Sequence, residues 1–198
     1  MRMKSHLAYW IDTILHRIYQ AFAKRSPLLL TINIQEQCMS VHKDGEDPEI
    51  FAISSGKNGT GEAINSGKTP RGWFQVDQLF GDNMPADTYF VARKAEGSYH
   101  NNPDIQDPIL ARILWLKGLQ WCNQNTLSRY IYLHGTHDIA TLGKEPQSFG
   151  CIRLSPENAI TVYNIIQKNQ QSSRRHFIYI YDNDHLLPWQ KSNPDLIG

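Results

Sequence analysis

Cysteine is scarce in these 198 residues. There are three, Cys38, Cys122 and Cys151. An odd number with no Cys-x-x-Cys pair excludes the disulfide framework of a small secreted domain and points to reduced thiols. Excess charge of either sign is missing too: 20 Lys and Arg stand against 19 Asp and Glu, for a net +1. Without a basic run there is no groove for a nucleic acid, and no such partner is expected. Long apolar runs are also lacking. Near the N-terminus the longest, Leu7 to Ile11, covers five residues, against the roughly 7–15 of an export signal and the roughly 20 of a membrane span. The expectation is therefore a cytoplasmic protein with no transmembrane segment, a periplasmic one being the alternative. Repeats and low-complexity tracts do not occur. No metal or cofactor is implied, since the His-x-x-His of His134 and His137 has no second ligand pair.

What is present is the composition of one ordinary globular domain, 40% hydrophobic and 20% charged, in a chain long enough to build a core without staples. Leu7, Trp10, Ile11, Ile14, Leu15, Ile18 and Phe22 recur at helical spacing. They predict an amphipathic helical extension over residues 1–27 that packs against the domain. A domain over 28–182 and a polar tail over 183–198 follow. Strand patterns occupy LLLTINI, QCMSVH, EIFAISS, WFQV, TYFVAR, RYIYLHG and HFIYIY. ILARILWLKGLQW fits either a helix or a buried strand, and is read as a short helix. SPENAITVYNIIQKN is the strongest helix, with Ser155 as cap, Pro156 in the first turn and a stripe of Ala159, Val162, Tyr163 and Ile166. The segment from Gly56 to Gly72 carries five glycines and reads as a long functional loop. The class is mainly β with a few helices, α+β.

The chemistry concentrates in two phrases, YIYLHGT and SFGCIRL. Cys151 stands between a glycine turn and a capped helix, where unpaired backbone N–H groups favour an anion and lower a thiol pKa. The N–H groups of Phe149, Gly150 and Cys151 can form an oxyanion hole. His134, at a strand end before Gly135, is the candidate base. Cys151 is thus the candidate nucleophile, with a lowered pKa, and Cys38 and Cys122 are inert.

The stretch HGTHDIATLGKEPQSFGCIRL resembles the signature of the L,D-transpeptidase catalytic domain, also called the YkuD domain. The match falls on His134, Gly135, Thr136, Gly143, Ser148, Gly150, Cys151, Ile152 and Arg153, with an upstream echo at Thr69, Pro70, Gly72 and Phe74. The resemblance covers roughly residues 28–182. It implies a YkuD-like β-sandwich or barrel core with the N-terminal helix added. It also implies a peptidoglycan tetrapeptide as substrate and a thioester on Cys151. His134 serves as general base and acid, oriented by a backbone carbonyl at Gly135. Ser148, Thr136 and Arg153 fall to substrate binding, although Arg153 reads equally well as an ion-pair residue. One position departs: the family's usual His before Gly-Cys is Phe149, which cannot carry a proton. The expected activity is L,D-carboxypeptidase action, removing a terminal D-alanine. L,D-transpeptidation is the alternative, and an inert peptide binder, motivated by Phe149, is the third.

Overall fold

The computed structural model describes residues 2–182, with the side chains of Ile11 and of residue 13 onward. The polar tail predicted over 183–198 lies outside the described residues. The chain opens with helix α1 (Arg2–Ala23). Strands β1 (Leu28–Asn33), β2 (Cys38–Lys43) and β3 (Glu49–Ala52) follow as an antiparallel meander. After the glycine-rich loop come β4 (Gly72–Phe80), the hairpin β5 (Thr88–Val91) and β6 (Lys94–Ser98), and the long β7 (Ile109–Gly118). Next are β8 (Tyr132–Gly135), β9 (Ile152–Leu154), helix α2 (Pro156–Gln171) and β10 (His176–Tyr181). All ten strands form one sheet in the order β3-β2-β1-β10-β4-β7-β5-β6, with β8 paired to β7 and β9 to β8. The fold is α+β and mostly β.

Alternation along the central strands separates two cores. On β4 and β10, Phe74, Ile178 and Ile180 join the main core beneath α2. Their neighbours Trp73, Phe177, Tyr179 and Tyr181 face the other way, where Ala23 and Tyr19 of α1 pack on them. Helix α2 forms as its sequence predicts. Ser155 Oγ accepts the Asn158 N–H at 3.1 Å, and Ala159, Val162, Tyr163 and Ile166 are buried.

Two expectations about elements are corrected. ILARILWLKG is β7, not a helix. Leu114 and Leu116 enter the main core, whereas Ile113 and Trp115 enter a third cluster on the opposite face. A strand buried on both faces reads as an unbroken apolar run, which periodicity does not distinguish from a buried helix. The second correction concerns α1. It packs through His16, Tyr19 and Ala23, with Trp73 Nε1–H donating to His16 Nδ1 at 3.2 Å. Four members of the predicted packing stripe, Ile11, Ile14, Ile18 and Phe22, face solvent.

Candidate active site

The site is built by the parallel pairing of β8 with β9. In that register Leu133 lies opposite Ile152, and His134 opposite Arg153. Leu133 and Ile152 enter the main core. Their neighbours on both sides therefore point to the other face, which gathers Tyr132 and His134 from β8 with Cys151 and Arg153 from the β9 side. Cys151 packs there against the third cluster, formed by Phe90, Ile113 and Tyr132, with Trp115 at its edge. The seventeen positions from His134 to Cys151 are thus closed by three ladder pairs.

The turn before Cys151 is held from several sides. Gly150 has φ +117°, a region closed to most side chains, and a Cβ there would stand 2.9 Å from the Lys68 carbonyl oxygen. Thr69 Oγ1 accepts the Gly56 N–H at 2.8 Å and donates to the Gly150 carbonyl at 3.1 Å. Arg129 donates to the carbonyls of Gly61 and Lys68, tying the glycine-rich loop to the same turn. Ser148 Oγ accepts the Gly150 N–H at 3.0 Å and donates to the Cys151 carbonyl at 2.6 Å.

The thiol is shielded rather than ionised. It accepts the Tyr132 N–H at 3.4 Å and donates to the Tyr130 carbonyl at 3.5 Å. Burial pushes its pKa up to about 11, against the smaller opposing pulls of the Tyr132 N–H and the Arg153 charge. Burial likewise brings His134 down to about 4, opposed by its hydrogen bond to Gly135. At neutral pH the resting pair is a thiol and a neutral imidazole. His134 Nδ1 lies 2.8 Å from the Gly135 carbonyl oxygen, which can only accept. Nδ1 therefore carries the hydrogen, and Nε2 is left as the basic nitrogen.

The lowered thiol pKa expected from sequence is thus reversed. Strand β9 intervenes between Cys151 and α2, so the helix N-terminus lies beyond Leu154 and not at the sulfur. The Gly150 N–H expected in the oxyanion hole is taken by Ser148, whereas those of Phe149 and Cys151 have no hydrogen-bond partner among the described residues. Ser148 is 1% exposed, and its hydroxyl braces the turn through Gly150 and Cys151. Thr136 is fully buried, its Oγ1 accepting the Asp138 N–H, at the wall of a cleft of about 350 Å³ beside Tyr99 and His137. Arg153 is 5% exposed and paired through Nη2 with Asp107, while its Nε is buried with no hydrogen-bond partner among the described residues. Gly135 is packed so tightly that a Cβ would meet the Leu110 carbonyl oxygen at 2.8 Å. Phe149 is 64% exposed with the Lys57 ammonium 4.3 Å from its ring centre. Asp107, Arg129, Tyr130 and Tyr132 are site residues that sequence reasoning missed. Of these, only the alternation in RYIYLHG gave a signal, since it puts Tyr130, Tyr132 and His134 on one face.

No curated protein is similar enough to the chain to match it. Among solved structures it resembles an L,D-transpeptidase from Mycobacterium smegmatis (19% identity, TM-score 0.47, covering 79% of this chain and 59% of that one). It resembles L,D-transpeptidase 3 from Mycobacterium tuberculosis to a similar degree (18%, 0.47, 79% and 61%). An Enterococcus faecium L,D-transpeptidase C442S mutant is more distant (13%, 0.43, 78% and 50%). The chain spans about three-fifths of the length of the two mycobacterial proteins. The sequence profile of the L,D-transpeptidase catalytic domain matches residues 27–180, which include both phrases of the site and every strand of the sheet except the last residue of β10. The chain belongs to the L,D-transpeptidase catalytic domain family.

Proposed function

We propose that the protein is a cysteine-dependent L,D-carboxypeptidase that removes the terminal D-alanine from peptidoglycan tetrapeptides. The observation that carries this reading is the shared face of His134 and Cys151, with the His134 ring fixed so that Nε2 is the free base. His134 Nε2 takes the thiol proton as sulfur attacks the carbonyl of the third, diamino residue. The N–H groups of Phe149 and Cys151 receive the oxyanion. His134 returns the proton to the D-alanine nitrogen as the C–N bond breaks. Water then attacks the thioester and gives a proton to His134, and as the C–S bond breaks His134 passes that proton to the sulfur, releasing the tripeptide and restoring the thiol and the neutral imidazole.

Water as acceptor is supported by the expected cytoplasmic location, where no neighbouring wall peptide offers an amine. Cell fractionation tests that location. Amine attack on the same thioester is the second reading, and the family match favours it. The inert-binder alternative loses its motive, because the Phe149 ring turns to solvent beside Lys57 while the thiol is held by Tyr130 and Tyr132.

The test is a tetrapeptide ending in D-alanine, analysed by mass spectrometry. The expected products are a Cys151 thioester, free D-alanine and tripeptide, all lost in Cys151→Ala. Cross-linked dimers as the main product would assign the enzyme to transpeptidation, and no turnover would overturn both.

A further inference from the structure

The β5–β6 hairpin closes with a two-residue turn, Ala92-Arg93, at which Val91 pairs with Lys94. Both turn residues have positive φ, +47° and +70°. This is the sign pattern of a type I′ turn, which favours Asn-Gly and strains residues that bear a Cβ. Strain of this kind persists where the surroundings enforce it and where it serves a purpose. The surroundings are specific. The Arg93 guanidinium lies 4.5 Å from the Trp115 ring centre and 5.3 Å from that of Tyr130, and donates to Tyr132 Oη at 3.0 Å. Trp115 and Tyr130 are themselves stacked. The backbones of Tyr130 and Tyr132 are the groups that hold the Cys151 thiol. Two of the three side chains that orient Arg93 therefore belong to the residues whose backbones orient the nucleophile.

Among the described residues Arg93 has no carboxylate partner. Of the arginines nearer the thiol, Arg153 is 5% exposed and paired through Nη2 with Asp107, and Arg129 donates to the Gly61 and Lys68 carbonyls. We propose that Arg93, cradled by Trp115, Tyr130 and Tyr132, is the carboxylate-binding site that anchors the peptide end beside Cys151. The proposal rests on the peptidoglycan-peptide reading above for the identity of its ligand. An aromatic-backed guanidinium whose Nη1 is held by Tyr132 and whose Nε and Nη2 have no hydrogen-bond partner among the described residues presents an oriented edge to a carboxylate. Two carboxylates of the substrate can supply it: that of the terminal D-alanine, or the side-chain carboxylate of a diaminopimelate at position three.

Binding is measured by calorimetry in Cys151→Ala, which separates recognition from turnover. The probes are the tetrapeptide acid, its C-terminal carboxamide, and the acid with lysine at position three. The parent should prefer the acid over one of the two analogues by at least about tenfold, and the weaker analogue identifies the carboxylate used. Arg93→Gln should abolish that preference. The double change Ala92→Asn with Arg93→Gly should raise the melting temperature, because it relieves the turn, and still abolish the preference. That combination excludes a purely structural role for Arg93. Equal affinity for all three peptides, no binding of the acid, or a preference that survives in both variants overturns the proposal. Failure of the Cys151 enzyme to release D-alanine, with the preference intact, would instead overturn the reaction assigned to the site and leave Arg93 as an anchor.

Discussion

At the scale of single residues the division of labour between positions 134 and 149 decides the chemistry. His134 is buried, its tautomer set by Gly135, and it shares a face with the thiol; Phe149 is exposed beside Lys57. His134→Ala should therefore lose at least about a hundredfold in kcat/KM, the usual cost of a general base, whereas Phe149→His should stay near the parent rate. Near-normal turnover in His134→Ala would move the base elsewhere. The protonation states sharpen this. With the imidazole neutral above about pH 4 and the thiol protonated to about pH 11, the proton leaves the thiol only as sulfur attacks. Hence kcat/KM should be flat from about pH 5 to 9 and fall below about pH 4 as His134 becomes charged. Alkylation at neutral pH should mark the exposed Cys122 before Cys151, with Cys151 labelling rising toward alkaline pH. Rapid labelling of Cys151 at neutral pH would reveal a stable thiolate and sink the neutral-pair assignment.

At the scale of elements, α1 shows what hydrophobic periodicity specifies and what it leaves open. The stripe correctly marks a helix, but the face chosen for packing is the aromatic and small one of His16, Tyr19 and Ala23. That face fits an aromatic platform of Trp73, Phe177 and Tyr179, assembled from β4 and β10 over a hundred residues of sequence. Ile14→Ser and Ile18→Ser should thus leave stability within about 0.5 kcal/mol. Ala23→Glu, which buries a carboxylate against that platform, should lower it by about 1–3 kcal/mol. Urea unfolding checks both, and a large loss in Ile18→Ser would return the stripe to a packed role. The same contrast governs the site. Cys151, His134 and the bracing Thr69 were legible because each sits in a short phrase of fixed spacing. The Asp107–Arg153 pair and the Arg93 cradle were not, because they depend on the bulged register of β7 with β8 and on the hairpin that crosses them. β9 was hidden for a different reason: three residues carry too little alternation to read as a strand.

At the scale of the whole molecule, one sheet covered on both faces buries ionisable side chains that water would otherwise keep charged. His134 and His176 are 3% and 5% exposed, and each is brought down to about 4 by burial. His176 Nε2 accepts the Val76 N–H at 3.0 Å, which requires the neutral ring. Burial also lowers His42. The sign follows from linkage. Between about pH 6.5 and 4 the unfolded chain binds protons that the folded one refuses, so stability is full above that window and falls as the pH drops through it. Each such histidine contributes a slope of about 1.4 kcal/mol per pH unit there. Carboxylates add their own acid loss, so the discriminating measurement is a difference between two proteins. His176→Gln keeps an acceptor for Val76 without a titrating ring. It should unfold in urea with a shallower pH dependence than the parent between about pH 6 and 4.5, by about 1.4 kcal/mol per unit, while the two run parallel above about pH 7.5. Parallel curves throughout would mean that His176 takes up its proton without unfolding, and that the sheet around it yields more readily than its burial implies.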